Sequence, residues 1–269
     1  MLQAQSPLNE AKTAYQKKDL SAAMSKIEEA ETQSNNLESY DFWEAKGIIY
    51  YDYYKTDKEA DSLYKMRTAA LEAFVKGIEL SEDETNKARL TKKLNSASNS
   101  CYNSAIEQAQ GGNIKNAEIG IQLFLKNSKI ANASINTLPL QLQYAHVKAI
   151  YYEQQYKKEG KESDFNSSKT AYEEGIHLDN KDFEGNFHIA LLYYNRSVDL
   201  IDQLDFVDID EMRLKEEEAI ELHKKALPYA LKAYEVQPDN AVLLEMLEGI
   251  YFNIRDFAKA DEFKALLER

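Results

Sequence analysis

The sequence predicts an all-α chain of stacked helical hairpins, and three observations carry that expectation. Small and apolar residues recur at helical spacing, most clearly Ala226, Ala230 and Ala233 near one end and Ala23, Ile27 and Ala30 near the other. Turn signals punctuate these runs at Lys18-Asp19-Leu20, Gly111-Gly112-Asn113 and Pro238-Asp239-Asn240. The composition, with nine Gly, four Pro and 43% apolar residues, suits helices that each bury one face. At 269 residues the chain is long for a single compact core, but a stack adds a little core with each hairpin. One elongated domain over 1–269 is expected.

The first hairpin runs from Leu8 to about Glu31, with Ala11, Ala14 and Tyr15 facing Ala23, Ile27 and Ala30 across the Lys18 turn. Trp43, Gly47 and Tyr50 open the second, and Ala70, Phe74, Gly77 and Leu80 close it, with both helices lengthened around Lys55-Thr56-Asp57. Ser81-Glu82-Asp83-Glu84 starts a long helix to Gln110, its acids favouring the positive end of the helix dipole. The returning helix carries Ala117, Ile121 and Phe124. Asn132 to Pro139 reads as irregular, with Pro139 placed to begin a helix. Tyr144, Ala149 and Tyr152 lead to Tyr172, Gly175 and Leu178, and the polar run Lys157 to Asn166 between them reads as a loop. Phe187, Leu191 and Tyr194 start the fifth hairpin, which extends through an acidic tip at 202–211 and returns along a helix bent near Pro228. Ala241 to Leu267 forms the last, its Lys264, Glu268 and Arg269 giving a polar outer surface.

The order aromatic, small, aromatic, then small, aromatic, small in Trp43, Gly47, Tyr50, Ala70, Phe74 and Gly77, with the helix–Pro-turn–hairpin from Ala226 to Phe263, resembles the tetratricopeptide repeat (TPR), a unit of about 34 residues. The resemblance implies a right-handed α-solenoid of about six hairpins with several lengthened helices, over approximate repeats 6–34, 37–84, 85–131, 138–180, 183–240 and 241–269. The long stretches from Tyr50 to Ala70 and from Tyr194 to Ala226 depart from the family spacing, as does the bulky Phe124 at a small-residue position. The long-insertion form is similar to TPR-like proteins exported by Bacteroidota-type bacteria. With Leu2-Gln3-Ala4-Gln5, which looks like the end of a secretory signal, it implies a periplasmic or envelope location, the alternative being the cytoplasm.

Charge and motifs narrow the chemistry. A net charge of −13 and a pI near 4.9 oppose nucleic acid, whose phosphates need clustered Lys and Arg. No apolar run approaches the length that spans a bilayer. There is no Gly-x-Ser-x-Gly, no Gly-Lys-Ser or Gly-Lys-Thr loop, no His-Glu-x-x-His and no calcium loop in the acidic tip. The lone Cys101 reads as a structural thiol. No catalytic residue, cofactor or metal is assigned, and the chain reads as no enzyme.

The family resemblance places a ligand groove on the inner face of each hairpin's first helix. Carried over by offset from each small core position, its candidates are Glu44, Tyr51, Asp52, Tyr102, His146, Glu153, Gln154, His188, Asn195, Arg196 and Phe252. Tyr51 and Tyr102 are expected to face a ligand rather than pack. One family subtype grips a C-terminal carboxylate with a Lys and an Asn one helical turn apart, and no Lys here has an Asn at that spacing. The leading expectation is a non-catalytic scaffold, monomer or weak homodimer, binding a neutral-polar or basic peptide or protein in the groove or on projecting hairpins. The alternative is a small-ligand or metal-binding module using His146 and His188, or the acidic tip.

Overall fold

A computed structural model of the chain describes residues 6–56, 64–202 and 209–268. Among these, every regular element is helical. The helices are α1 (Pro7–Gln16), α2 (Leu20–Glu31), α3 (Tyr40–Thr56), α4 (Lys65–Leu80), α5 (Glu84–Gln110), α6 (Ile114–Ala131), α7 (Leu138–Glu159), α8 (Glu162–Leu178), α9 (Phe183–Asp202), α10 (Ile209–Val236), α11 (Ala241–Asn253) and α12 (Phe257–Leu267). A short 3-10 turn at Ser34–Glu38, which the sequence did not announce, leads into α3.

Contacts divide the chain into two compact units, Met1–Thr137 and Leu138–Arg269. In the first, α1 packs on α2, α3 on α4 and α5 on α6, while α2 meets α3 and α4 meets α5. In the second, α7 packs on α8, α9 on α10 and α11 on α12, with α8 meeting α9 and α10 meeting α11. Neighbours in space are neighbours in sequence, which is how a solenoid buries apolar faces that no single hairpin can hide.

The small residues do what their spacing predicts. Ala23, Ile27 and Ala30 are fully buried, as are Ala226, Ala230 and Ala233. Gly47 lets α4 close on α3, since a Cβ there would stand 2.5 Å from the Phe74 ring. Cys101 is buried inside α5. Phe124, although bulky, is also buried and meets the Tyr102 ring at a tilt, 5.1 Å between centres.

Three hairpins share one turn. α1, α5 and α11 each end in a residue followed by one in the left-handed region, Lys18 (φ 63), Gly112 (φ 82) and Arg255 (φ 66). Asp19, Asn113 and Asp256 then donate their N–H groups back to the carbonyls of Ala14, Gln108 and Tyr251. Such a closure satisfies carbonyls that the helix end leaves open. Asp19 and Asp256 go on to cap the returning helix, accepting from Ala22 N and Lys259 N.

Several expectations need correction. The polar run Lys157 to Asn166 is not a loop: α7 continues to Glu159, α8 begins at Glu162, and Gly160 (φ 67) turns the chain between them. Its polar residues are helix surface. The return along one helix through Pro228 is as expected, since α10 continues on both sides of it. The last hairpin exposes Lys264 and Glu268 but also leaves Val242, Phe252 and Phe257 more than half exposed, so its outer surface is not uniformly polar. Residues 1–5, Asp57, and Asp205 and Asp208 of the acidic tip lie outside the described residues. No helix among the described residues is long and apolar enough to cross a membrane.

Candidate functional site

In the first unit, the residues assigned to a groove tie successive first helices together. Tyr15 of α1 donates its hydroxyl to Asp52 Oδ2 of α3 at 2.6 Å, and burial with that carboxylate pushes the phenol up to about 12. Asp52 also accepts from Lys55 at 2.9 Å. Glu44 of α3 pairs with Arg89 of α5 at 2.6 Å. The Tyr51 hydroxyl donates to the Ser96 carbonyl of α5 at 3.3 Å, while its ring meets Phe74 edge-on and carries the Lys55 ammonium 4.0 Å from its centre. Tyr102 is 8% exposed. Its ring lies against Phe124 at 5.1 Å, and a tyrosine facing a neighbouring helix lowers its free energy by burying its ring there.

In the second unit, His146, Glu153 and His188 come together around a residue the sequence did not single out for chemistry. Tyr172 of α8 is fully buried. Its ring stacks on His188 at 5.0 Å and meets His146 at 6.2 Å, and its hydroxyl donates to Glu153 Oε2 at 3.1 Å. Glu153 Oε1 accepts from Lys157 at 2.7 Å, and His188 Nδ1 lies 3.5 Å from Oε2. Burial raises the Glu153 pKa, but the His188 and Lys157 donors more than offset it and hold the carboxyl at about 2.

His146 turns instead to Asp182 Oδ2, 2.8 Å away. Asp182 also accepts from Gly185 N and is walled by Gly175 and Gly185, where an added Cβ would fall 2.6 and 2.5 Å from its Oδ2. The two imidazoles are thus engaged with separate carboxylates, and both lie against the Tyr172 ring. Among the described residues no three His, Cys, Asp or Glu side chains converge as metal ligands. A metal shared by His146 and His188 has no support in this geometry.

A Ser–His contact occurs in the same unit. Ser197 Oγ lies 3.0 Å from His223 Nε2 and 2.6 Å from the Tyr194 carbonyl. The hydroxyl has one proton and donates it to the carbonyl, so toward His223 it accepts. Burial pushes the His223 pKa down to about 4, which keeps the ring neutral. With both residues buried, this is helix packing rather than a nucleophile with its base.

Of the candidate groove residues, Gln154, Asn195 and Phe252 are exposed, with Phe252 57% exposed and touching Phe257. Asn195 and Arg196 line a cleft of about 620 Å³ between the end of α7, the start of α8 and α9. Tyr156, Leu192, Val198 and Leu200 supply apolar surface, and Arg196 grips both carboxylate oxygens of Glu162 at 2.9 and 2.7 Å while lying 5.1 Å from the centre of the Phe165 ring. The family resemblance, carried over by offset, picked out Asn195 and Arg196. It could not locate Tyr156 or Leu192, whose role depends on which helix comes to lie opposite.

Small positions of one helix seat the rings of its partner, as Gly47 seats Phe74, and hairpins stack in chain order. The repeats are TPR-like. No family model matches the chain, and no curated protein sequence matches it. Among solved structures it is similar to a TPR repeats protein from Bacteroides fragilis, with 16% identity, 91% of this chain and 96% of that one covered, and a TM-score of 0.49. It is also similar to a monomeric mutant of IFIT1 solved with Gppp-AAAA, with 13% identity, 96% of this chain and 67% of that one covered, and a TM-score of 0.33. Likeness at these values transfers neither partner nor ligand.

Proposed function

We propose that the chain is a non-catalytic scaffold that holds a segment of a partner protein in the cleft between α7, α8 and α9. The observation that carries this reading is the cleft itself. Its apolar wall of Tyr156, Leu192, Val198 and Leu200 stands beside the Asn195 amide and the Arg196–Glu162 pair, a combination of apolar area and few oriented polar groups that suits a peptide. The net charge of −13 favours a neutral-polar or basic partner. Tyr51 and Asp52, also candidates for contact, sit in the other unit and are already engaged.

A photo-crosslinking residue placed at Asn195 should capture a discrete partner for mass spectrometry. Capture should weaken as salt rises and fall when Leu192→Asp closes the apolar wall to a ligand. Equal capture from a crosslinker at exposed Lys232, or capture that strengthens with salt, would remove the cleft from consideration. The metal-binding alternative predicts a melting temperature raised by Zn²⁺ or Ni²⁺, and the separated carboxylates of His146 and His188 argue for no change.

A further inference from the structure

The first unit contains a cavity that the scaffold reading does not use. It encloses about 280 Å³ and is lined from α2, α3, α4 and α6. That volume accommodates about nine waters' worth of matter, or a ligand of about ten non-hydrogen atoms. Trp43, Ala69, Val75 and Ile130 give it apolar surface, and Ile130 is 46% exposed although large and aliphatic.

In a chain of net charge −13, this lining holds three lysines, Lys46, Lys76 and Lys126, against Glu31 and Glu72. Lys46 is 8% exposed, pairs with Glu31 and lies 5.3 Å from the centre of the Trp43 ring, so its ammonium is fixed and largely desolvated. Among the described residues Lys76 pairs with exposed Glu79 one turn along its own helix, a contact worth little and easily exchanged. Among the described residues Lys126 has no ion-pair partner. Asn127, 3% exposed, also lines the cavity, and its amide nitrogen donates one of its two protons to the Leu123 carbonyl.

We propose that this cavity binds a small organic carboxylate with an apolar or aromatic body. Its body lies along Trp43, Val75 and Ile130, and its carboxylate is met by Lys126 with Lys76. A charge-assisted hydrogen bond selects the anion over its neutral analogue, and the apolar wall selects it over acetate. The site is lined from α2, α3, α4 and α6 of the first unit and shares no residue with the cleft proposed for protein partners, so either assignment can fail without the other.

Trp43 is the only tryptophan in the chain and lines this cavity, so its fluorescence reads changes there. Titration of the intact protein with phenylacetate should give a saturable change with a Kd of about 1 mM, as expected for a ligand of this size. Phenylacetamide and phenethylamine should bind about tenfold more weakly or not at all, since each lacks the anion. Lys126→Glu, an exposed substitution that keeps the helical circular dichroism, should weaken phenylacetate by about tenfold or more. Lys76→Glu should do the same to a smaller degree. A linear, non-saturating response, equal affinity for the amide, or an unchanged constant in Lys126→Glu would each overturn the proposal.

Discussion

Glu153 shows what a side chain chosen by helical offset turns into once its neighbours arrive. Two donors, Lys157 and Tyr172, and the His188 ring 3.5 Å away surround a carboxylate that is 7% exposed. Its folded pKa of about 2 lies below the ordinary 4.5. The unfolded state therefore takes up a proton first, and the stabilisation is complete above pH 4.5 and lost as pH falls toward 2. Glu153→Gln should cost about 2 kcal/mol at pH 7 and distinctly less at pH 3, read from urea midpoints at the two values. An equal deficit at both would show that charge is not what the site provides. His223 works in a different window. Burial depresses it from 6.5 to about 4, so the unfolded chain protonates first below 6.5 and stability declines from there to pH 4. His223→Gln should flatten that part of the stability profile relative to wild type, whatever it does to the absolute value at pH 7. The family resemblance, carried over by helical offset, brought His146, Glu153 and His188 to notice. Tyr172 and Asp182 escaped because their contacts reach across helices far apart in the chain, and no local period encodes that meeting.

At the scale of helices and turns the sequence was more legible, since caps and left-handed positions act within a few residues of one another. Lys18-Asp19 and Gly111-Gly112-Asn113 were recognised as turns, and the structure shows them to be the same turn, repeated at Arg255-Asp256. That equivalence has a consequence. Lys18 holds a φ of 63, which an L side chain adopts at a cost, whereas Gly112 holds its left-handed φ without one. Lys18→Gly should stabilise the first unit by about 0.5 kcal/mol, and Gly112→Ala should destabilise it by about 1 kcal/mol, both measured as shifts of the denaturation midpoint. A loss on Lys18→Gly would mean that glycine's extra freedom in the unfolded chain outweighs the relieved turn. The Lys157 to Asn166 segment failed as a loop for a related reason. Polarity marks exposure, and a solvent-facing helix surface is as polar as a loop. Only Gly160, at φ 67, carried a true signal of chain reversal.

On the scale of the whole molecule, repeats were visible because small residues at helical spacing recur from Ala23 to Ala233, each fully buried. The division at Thr137 and Leu138 was visible only as the irregular stretch Asn132 to Pro139. Each side of it has three hairpins and its own buried cluster. One cluster runs from Ala11 through Phe42 and Phe74 to Cys101. Two others, centred on Tyr172 and on Leu247, lie wholly after Leu138. A stack of about three repeats is the least that buries enough apolar surface to hold together. The two halves, expressed separately as 1–137 and 138–269, should therefore each be helical and unfold cooperatively with denaturant. The second should also retain the depressed His223 pKa, because Ser197 and Tyr194, the groups that bury it, travel with it. NMR titration of that half reads this directly. A His223 that titrates near 6.5 in a fragment with native helicity would show that hairpin packing there depends on the other half of the chain.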